Sequence, residues 1–225
     1  VEAAMGLSIA ITLLSLLVAY FLGSIPTGFL LVKAFKGVDI REYGSGNTGA
    51  TNVFRILGKG AGITALVIDL LKGVIAVRLV AWLAFISNFS PYPMGEFLDP
   101  SQGMFWGSVL CTLAGLLAIL GHSKSIWLRF AGGKSAATGL GVLLALAWPV
   151  GVGAAVVFAT AVGITKTASV GSISAALSGF VLMLLTQQPL PYVLLAFLGG
   201  CYVVYLHRSN IARLMSGTEP KTFGN

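Results

Sequence analysis

Three short stretches of the chain concentrate residues suited to binding phosphate. The first is Gly44-Ser45-Gly46-Asn47-Thr48-Gly49-Ala50-Thr51-Asn52, with Arg55 close behind; the second is Gly132-Gly133-Lys134-Ser135; the third is His207-Arg208-Ser209-Asn210, followed by Arg213. Small residues over 44–51 let backbone N–H groups turn inward and cradle an anion. Ser45, Asn47, Thr51 and Asn52 add neutral donors, and Arg55 adds a planar charged fork that matches phosphate oxygens. A helix starting near Ala50 would put Asn52 and Arg55 on one face. Gly132, Gly133 and Lys134 precede a segment expected to be helical from Ala136, and a helix N-terminus with glycines and a lysine attracts anions. His207 and Asn210 share a helical face that could close over a polar ligand.

Two familiar folds are excluded. Gly44, Gly46 and Gly49 match the spacing of a dinucleotide fingerprint, but Asp39-Ile40-Arg41-Glu42-Tyr43 before them is not an apolar strand. The upstream glycine of a P-loop ending at Lys134 would fall on Leu128. Around the three stretches the carboxylates are Asp39, Glu42, Asp69 and Glu219, too few for a magnesium or two-metal site, so neither metal nor cofactor is expected. No His-x4-Asp pair exists, because Trp127 and Ala212 stand at that spacing from His122 and His207. Asp69 and Lys72, one turn apart in an apolar segment, read as an internal ion pair.

The elements that must position these residues are membrane helices. Of 225 residues, 56% are hydrophobic and 9% charged, whereas a soluble domain carries about 25% charge to cover its surface. Apolar segments cover residues 7–32, 61–87, 104–121, 136–165, 168–186 and 192–206, near the ~20 residues a helix needs to cross hydrocarbon. Residues 7–32 lack a basic flank and a cleavage site, and read as a retained helix rather than a signal peptide. Cys111 and Cys201 lie within apolar segments and read as small hydrophobes.

Lysine and arginine gather in 33–59, 124–134, 166 and 208–221, while residues 88–103 hold only Glu96 and Asp99 as charged groups. The basic stretches are therefore expected in the cytoplasm, with the N-terminus outside and the C-terminus inside. That placement forces residues 136–165 to cross an even number of times. Pro149 near the middle predicts two short helices, 136–148 and 150–165. The expectation is one all-α polytopic domain over 1–225 with about seven transmembrane helices and all three stretches at the cytoplasmic face. The net charge of +7 follows from the inside loops and makes no case for nucleic acid.

The motifs resemble a known family. Gly23-Ser24-Ile25-Pro26-Thr27-Gly28, then Asp39-Ile40-Arg41 and the 44–55 stretch, look like the first signature of the bacterial membrane glycerol-3-phosphate acyltransferases that use acyl phosphate. Gly121-His122, Gly132-Gly133-Lys134 and Ala137-Thr138 with Gly141 resemble the second, and His207 through Glu219 resemble the third. The resemblance implies a seven-helix fold in the bacterial inner membrane. It also implies transfer of a fatty acyl group from acyl phosphate to the 1-hydroxyl of glycerol 3-phosphate, giving lysophosphatidate and phosphate in the first step of phospholipid synthesis. It implies no cofactor, no metal and no obligatory protein partner; the partners are the two substrates and membrane lipid. By resemblance, Ser45, Gly46, Asn47, Gly49, Thr51, Asn52 and Arg55, with Gly132 and Gly133, bind phosphate; Lys134 holds the second phosphate; His207 and Asn210 position the glycerol. The family commonly has proline, lysine and glycine where this chain has Ser125, Ala131 and Ser135. One cation is thereby lost from the anion site, and Lys124 is the candidate replacement.

Acyl phosphate is already activated, so the demand on the protein is orientation, which contributes about 7–11 kcal/mol, and charge stabilisation by Lys134, Arg55 and backbone amides. Two proton acceptors stay open: His207 and a phosphate oxygen of a substrate. The acyl chain is expected in a groove between helices, entered from the inner leaflet, where small residues such as Gly139, Gly141, Gly171 and Gly179 permit close or open packing. Two other classes compete: a transporter of organic phosphates, which would show repeats and a midplane site, and a structural subunit binding anionic lipid. No convincing repeat is present and the anion motifs are expected at one face, which speaks against the first; the second needs positive charge but not the ordered Ser-Gly-Asn-x-Gly-Ala-Thr-Asn run.

Overall fold

The computed structural model describes residues 2–86 and 100–222, and among these the regular structure is helical throughout. The expected outer, acidic connection over 88–103 falls largely on residues 87–99, outside the described residues. The chain is an all-α polytopic membrane protein. Helices α5 (Pro100–Ser123), α7 (Trp148–Thr165) and α8 (Ala168–Leu185) are each long and apolar enough to cross a bilayer. So are two bent pairs: α1 (Glu2–Ser24) with α2 (Thr27–Lys36), and α9 (Leu190–Leu206) with α10 (Arg208–Met215). The remaining helices are α3 (Ala50–Leu57), α4 (Lys59–Ile86) and α6 (Ala136–Leu146). The 28 residues of α4 exceed a bilayer crossing even though Asp69, Lys72 and Arg78 interrupt its apolar run.

Each expected apolar segment has a helical counterpart, with two local differences. Residues 7–32 are two helices meeting at 41° rather than one, because Pro26 has no N–H and its ring obstructs the preceding turn. The break expected at Pro149 lies instead at Ala147, whose φ of −148° and ψ of 91° are extended. Pro149 sits in the first turn of α7, where a missing N–H leaves no helical bond unmade. The helices are therefore 136–146 and 148–165, not 136–148 and 150–165. At 11 residues α6 is about 16 Å long, half a crossing, whereas α7 at 18 residues reaches about 27 Å.

The largest buried cluster joins α1, α4, α5, α6 and α9 through Ala19, Ala76, Val77, Val80, Ala114, Ala118, Val142 and Leu195. Small residues let these helices approach backbone to backbone. Gly141 of α6 lies against the Leu70 carbonyl of α4, and a Cβ there would overlap that oxygen. A second cluster, Val32, Ile40, Val53 and Ala65, ties α2 and α3 onto α4 and supports the polar loop between them. Large apolar side chains such as Leu13, Leu17, Leu71, Ile75 and Leu177 face outward, as lipid requires.

Candidate active site

The 44–52 loop is organised by one side chain. Asn52 is buried, with 1% exposure. Its Oδ1 accepts the Ser45 N–H at 2.9 Å, and its Nδ2 donates to the carbonyls of Ile40, Tyr43 and Asn47 at 3.3, 3.0 and 2.9 Å. The loop reaches this shape through left-handed Gly44 (φ 61°) and Gly46 (φ 69°). Asn47 Oδ1 accepts the Gly49 N–H at 2.9 Å, fixing the entry to α3. Ser45, Asn47, Gly49, Thr51 and Arg55 then line a cavity. Asn52 also borders it, but its amide is occupied by the loop, so its place in the architecture is to shape the donors around it. Gly46 is exposed and does not border the cavity.

The second stretch differs more from expectation. Gly132 and Gly133 do not line the cavity; they pack on His122. The Gly133 N–H donates to the His122 carbonyl at 3.0 Å. A Cβ on Gly132 would overlap that same oxygen, and one on Gly133 would overlap His122 Nε2. The two glycines thus let the chain cross the imidazole before it delivers Lys134 to the cavity wall. Ser135, at a φ of 59°, turns the chain into α6 while its Oγ donates to the Ile119 carbonyl at 2.8 Å. Ser125 Oγ donates to the Ser24 carbonyl at 2.6 Å. Two of the three departures from the family pattern are therefore buried backbone ties. Lys124 is exposed and away from the cavity, which removes it as a replacement cation.

Lys134 Nζ donates to Asn210 Oδ1. Asn210 Nδ2 passes the contact on to Glu219 Oε1 at 2.6 Å, which also accepts Ser169 Oγ at 2.8 Å. Arg213 Nε donates to Glu219 Oε2 at 2.7 Å. Arg213 is thereby neutralised outside the cavity, leaving Arg55 and Lys134 as the cations of its wall. Burial, then the nearby Arg213 and Arg55 charges, lower the Lys134 ammonium to about 8, with Glu219 opposing them. For Glu219, burial raises the carboxyl, but hydrogen bonds from Asn210, Ser169 and Arg213 outweigh it and hold it below the ordinary carboxylate range.

His207 sits at the 59° bend between α9 and α10. Its Nδ1 lies 2.7 Å from the Val203 carbonyl. A carbonyl only accepts, so Nδ1 carries the proton and the neutral ring keeps its lone pair on Nε2. The backbone after α10 returns to the α7–α8 turn: the Thr222 N–H donates to the Lys166 carbonyl at 2.7 Å, and the Ala168 N–H donates to Thr222 Oγ1 at 3.0 Å. That return is what brings Glu219 into the wall.

The cavity, about 220 Å³, has two ends. Ser45, Thr51, Arg55, Lys134, His207, Asn210 and Glu219 form the polar end; Leu140, Leu143, Ala154, Phe158, Ala176 and Ala196 form an apolar trench between α6, α7, α8 and α9. Of the four glycines expected to permit close or open packing there, Gly139 borders the trench. Gly141, Gly171 and Gly179 are instead contact points with Leu70, Phe158 and Leu143. Glu219, Ser169 and His122 are wall residues that the site reading from sequence missed. For Glu219 a signal existed, since it closes the third motif; Ser169 stands in an apolar run with nothing to mark it.

Fold and cavity together define a polytopic helical membrane protein with a cationic pocket opening into an apolar trench. The family model described as glycerol-3-phosphate acyltransferase matches residues 13–217, and the chain belongs to that family. It is similar to the glycerol-3-phosphate acyltransferase of Nostoc sp. (strain PCC 7120), 54% identical over 91% of this chain and 89% of the relative. The glycerol-3-phosphate acyltransferase 2 of Rhizobium johnstonii is 50% identical over 92% of this chain and 93% of the relative. Among solved structures it resembles the crystal structure of PlsY (YgiH), an integral membrane glycerol 3-phosphate acyltransferase, in two forms. The glycerol 3-phosphate form gives a TM-score of 0.80 at 36% identity, covering 95% of this chain and 96% of that one. The lysophosphatidic acid form gives 0.77 at 35% identity, covering 95% of each.

Proposed function

We propose that the protein transfers a fatty acyl group from acyl phosphate to the 1-hydroxyl of glycerol 3-phosphate, releasing lysophosphatidate and phosphate. The observation that carries this reading is the two-ended cavity. Its polar end has two anion stations, the 44–55 loop with Arg55 and the Lys134 corner with His207 and Asn210, while the trench suits an acyl chain. Two phosphate-bearing substrates, one with a hydrocarbon tail, match that arrangement. The glycerol hydroxyl oxygen attacks the acyl carbonyl carbon, a carbon–oxygen bond forms, and the bond from that carbon to the phosphate oxygen breaks. Arg55 and Lys134 stabilise the charge gathering on the departing phosphate, and amides at the start of α3 are available to the carbonyl oxygen. The hydroxyl proton goes to His207 Nε2 or to a phosphate oxygen. The fixed tautomer of His207 supports the first route, and a His207→Ala variant with near-normal turnover would select the second.

The active site belongs at the cytoplasmic face of a bacterial inner membrane, with the N-terminus outside. Lysine and arginine cluster at the helix ends around the cavity, which supports that orientation. No metal, cofactor or protein partner is required by this scheme. The test is phosphate release from palmitoyl phosphate by purified protein in detergent, with and without glycerol 3-phosphate, with Lys134→Ala alongside. Release that depends on glycerol 3-phosphate, with lysophosphatidate formed and activity lost in the variant, is expected. Well-folded protein that releases no phosphate would overturn the reading and point to transport.

A further inference from the structure

A buried charge cluster, Asp69, Lys72 and His122, borders the cavity through Asp69 and His122 and has no part in the scheme above. Lys72 Nζ of α4 stands 2.9 Å from Asp69 Oδ1, as the one-turn spacing predicts, with both side chains nearly sealed. The same ammonium donates to the Ile25 carbonyl at 3.0 Å, at the break between α1 and α2. On the other side, Asp69 Oδ1 is 3.7 Å from His122 Nδ1. Neither of these two atoms has an aligned hydrogen-bond partner, and both are closed to solvent. Those two atoms face each other inside the cluster, closed to solvent, rather than offering a donor or acceptor to the cavity that the two residues border. A carboxylate, an ammonium and an imidazole inside a bilayer are costly, and such groups are kept where they do something a hydrocarbon side chain cannot.

What they touch identifies that task. The His122 ring fills the space that a Gly133 side chain would take, and its carbonyl accepts the Gly133 N–H. One residue further on is Lys134. We infer that Asp69, Lys72 and His122 are positioning residues: the ion pair, anchored at Ile25, fixes the His122 ring, and the ring sets the path of Gly132-Gly133 and hence the place of the Lys134 ammonium. Substrate affinity is thereby tied to the α1–α2 break. A displaced but still protonated ammonium keeps its charge near the departing phosphate and loses the short hydrogen bond to the bound one, so the effect falls mainly on KM, unlike outright removal of the charge.

The inference rests on the reading that Lys134 holds a substrate phosphate. His122→Leu, which keeps bulk but loses the facing nitrogen, is compared with His122→Asn, whose amide nitrogen can occupy the Nδ1 position. His122→Leu is expected to raise KM for at least one of glycerol 3-phosphate and palmitoyl phosphate about tenfold, with kcat within about threefold, and His122→Asn to recover much of the loss. Binding of inorganic phosphate then closes a double-mutant cycle: His122→Leu should cost nothing further in a Lys134→Ala background. Additive losses, or a folded His122→Leu protein with both KM values unchanged, would overturn the inference. If His122→Leu does not fold, Asp69→Asn with Lys72→Met removes both charges together and must show the same KM shift. If neither variant folds, the cluster is a folding element and the inference fails. A Lys134→Ala protein that binds phosphate like the wild type would instead sink the functional reading.

Discussion

In the proposed scheme the 44–52 loop and the Lys134 corner both present donors to an anion, yet they are built in opposite ways. In the loop a neutral residue does the organising. Asn52 commits its amide to four backbone groups, and Ser45, Asn47 and Thr51 border the cavity around it. At the corner the donor itself is a charge, held through Asn210 to Glu219, which is also neutralised by Arg213. A neutral scaffold with every bond made costs little to bury and is indifferent to pH. A charged corner binds phosphate more strongly, but it works only while the ammonium is protonated and its partners are in place. The Asn52 loop therefore sets shape, while attraction comes from Lys134 and from Arg55 beyond the loop.

The sharpest way to break this contrast is Lys134→Ala. Turnover should fall about 10²–10³-fold, because a charge aimed at the leaving phosphate is gone, while thermal stability in detergent changes little. Equal losses of stability and activity would erase the distinction. Asn52→Ala should show the reverse emphasis. Removing a buried side chain with so many bonds should cost about 3 kcal/mol, read from denaturant unfolding in detergent, with activity following the folded fraction.

A pH profile separates the stations without mutation. Lys134 is lowered to about 8, so the binding-competent ammonium is present below that pH and lost as pH rises through it. In the free enzyme, kcat/KM should drop about tenfold per unit above roughly pH 8. Folded Asn52→Ala protein should keep the same alkaline limb, since its defect does not titrate. The smallest effect is expected from Lys124→Ala, whose exposed ammonium stands outside the cavity; KM for both substrates should stay within about twofold.

Patterns local in the chain were readable from it. Apolar length announced the spans, Pro149 marked a bend to within a few residues, and the one-turn spacing of Asp69 and Lys72 foretold their ion pair, whereas the break at Pro26 went unread. The break at Ala147 was misplaced because proline is best accommodated inside a first turn, not between helices. The site was readable as a set of residue types but not as a set of jobs. Asn52 looked like a ligand donor and is a scaffold; Gly132 and Gly133 looked like an anion cradle and are a crossing point over His122; Gly46 faces outward. Nothing local distinguishes a donor that is free from one already bonded, because that depends on which carbonyls the fold brings within 3 Å.

The sequence by itself determined that the chain lives in lipid, and it supplied the expectation that its basic, glycine-rich stretches share one membrane face and suit phosphate. Hydrophobic length and charge placement are additive properties of a chain, so they survive without a fold. Only the tertiary structure decided that Glu219 and Ser169, 50 residues apart, complete the Lys134 corner. It also decided that Arg213 is spent on Glu219 while Arg55 and Lys134 remain at the cavity wall. Those outcomes turn on contacts of a few ångströms between distant segments, set by how the helices pack and where the C-terminal stretch returns across α7 and α8.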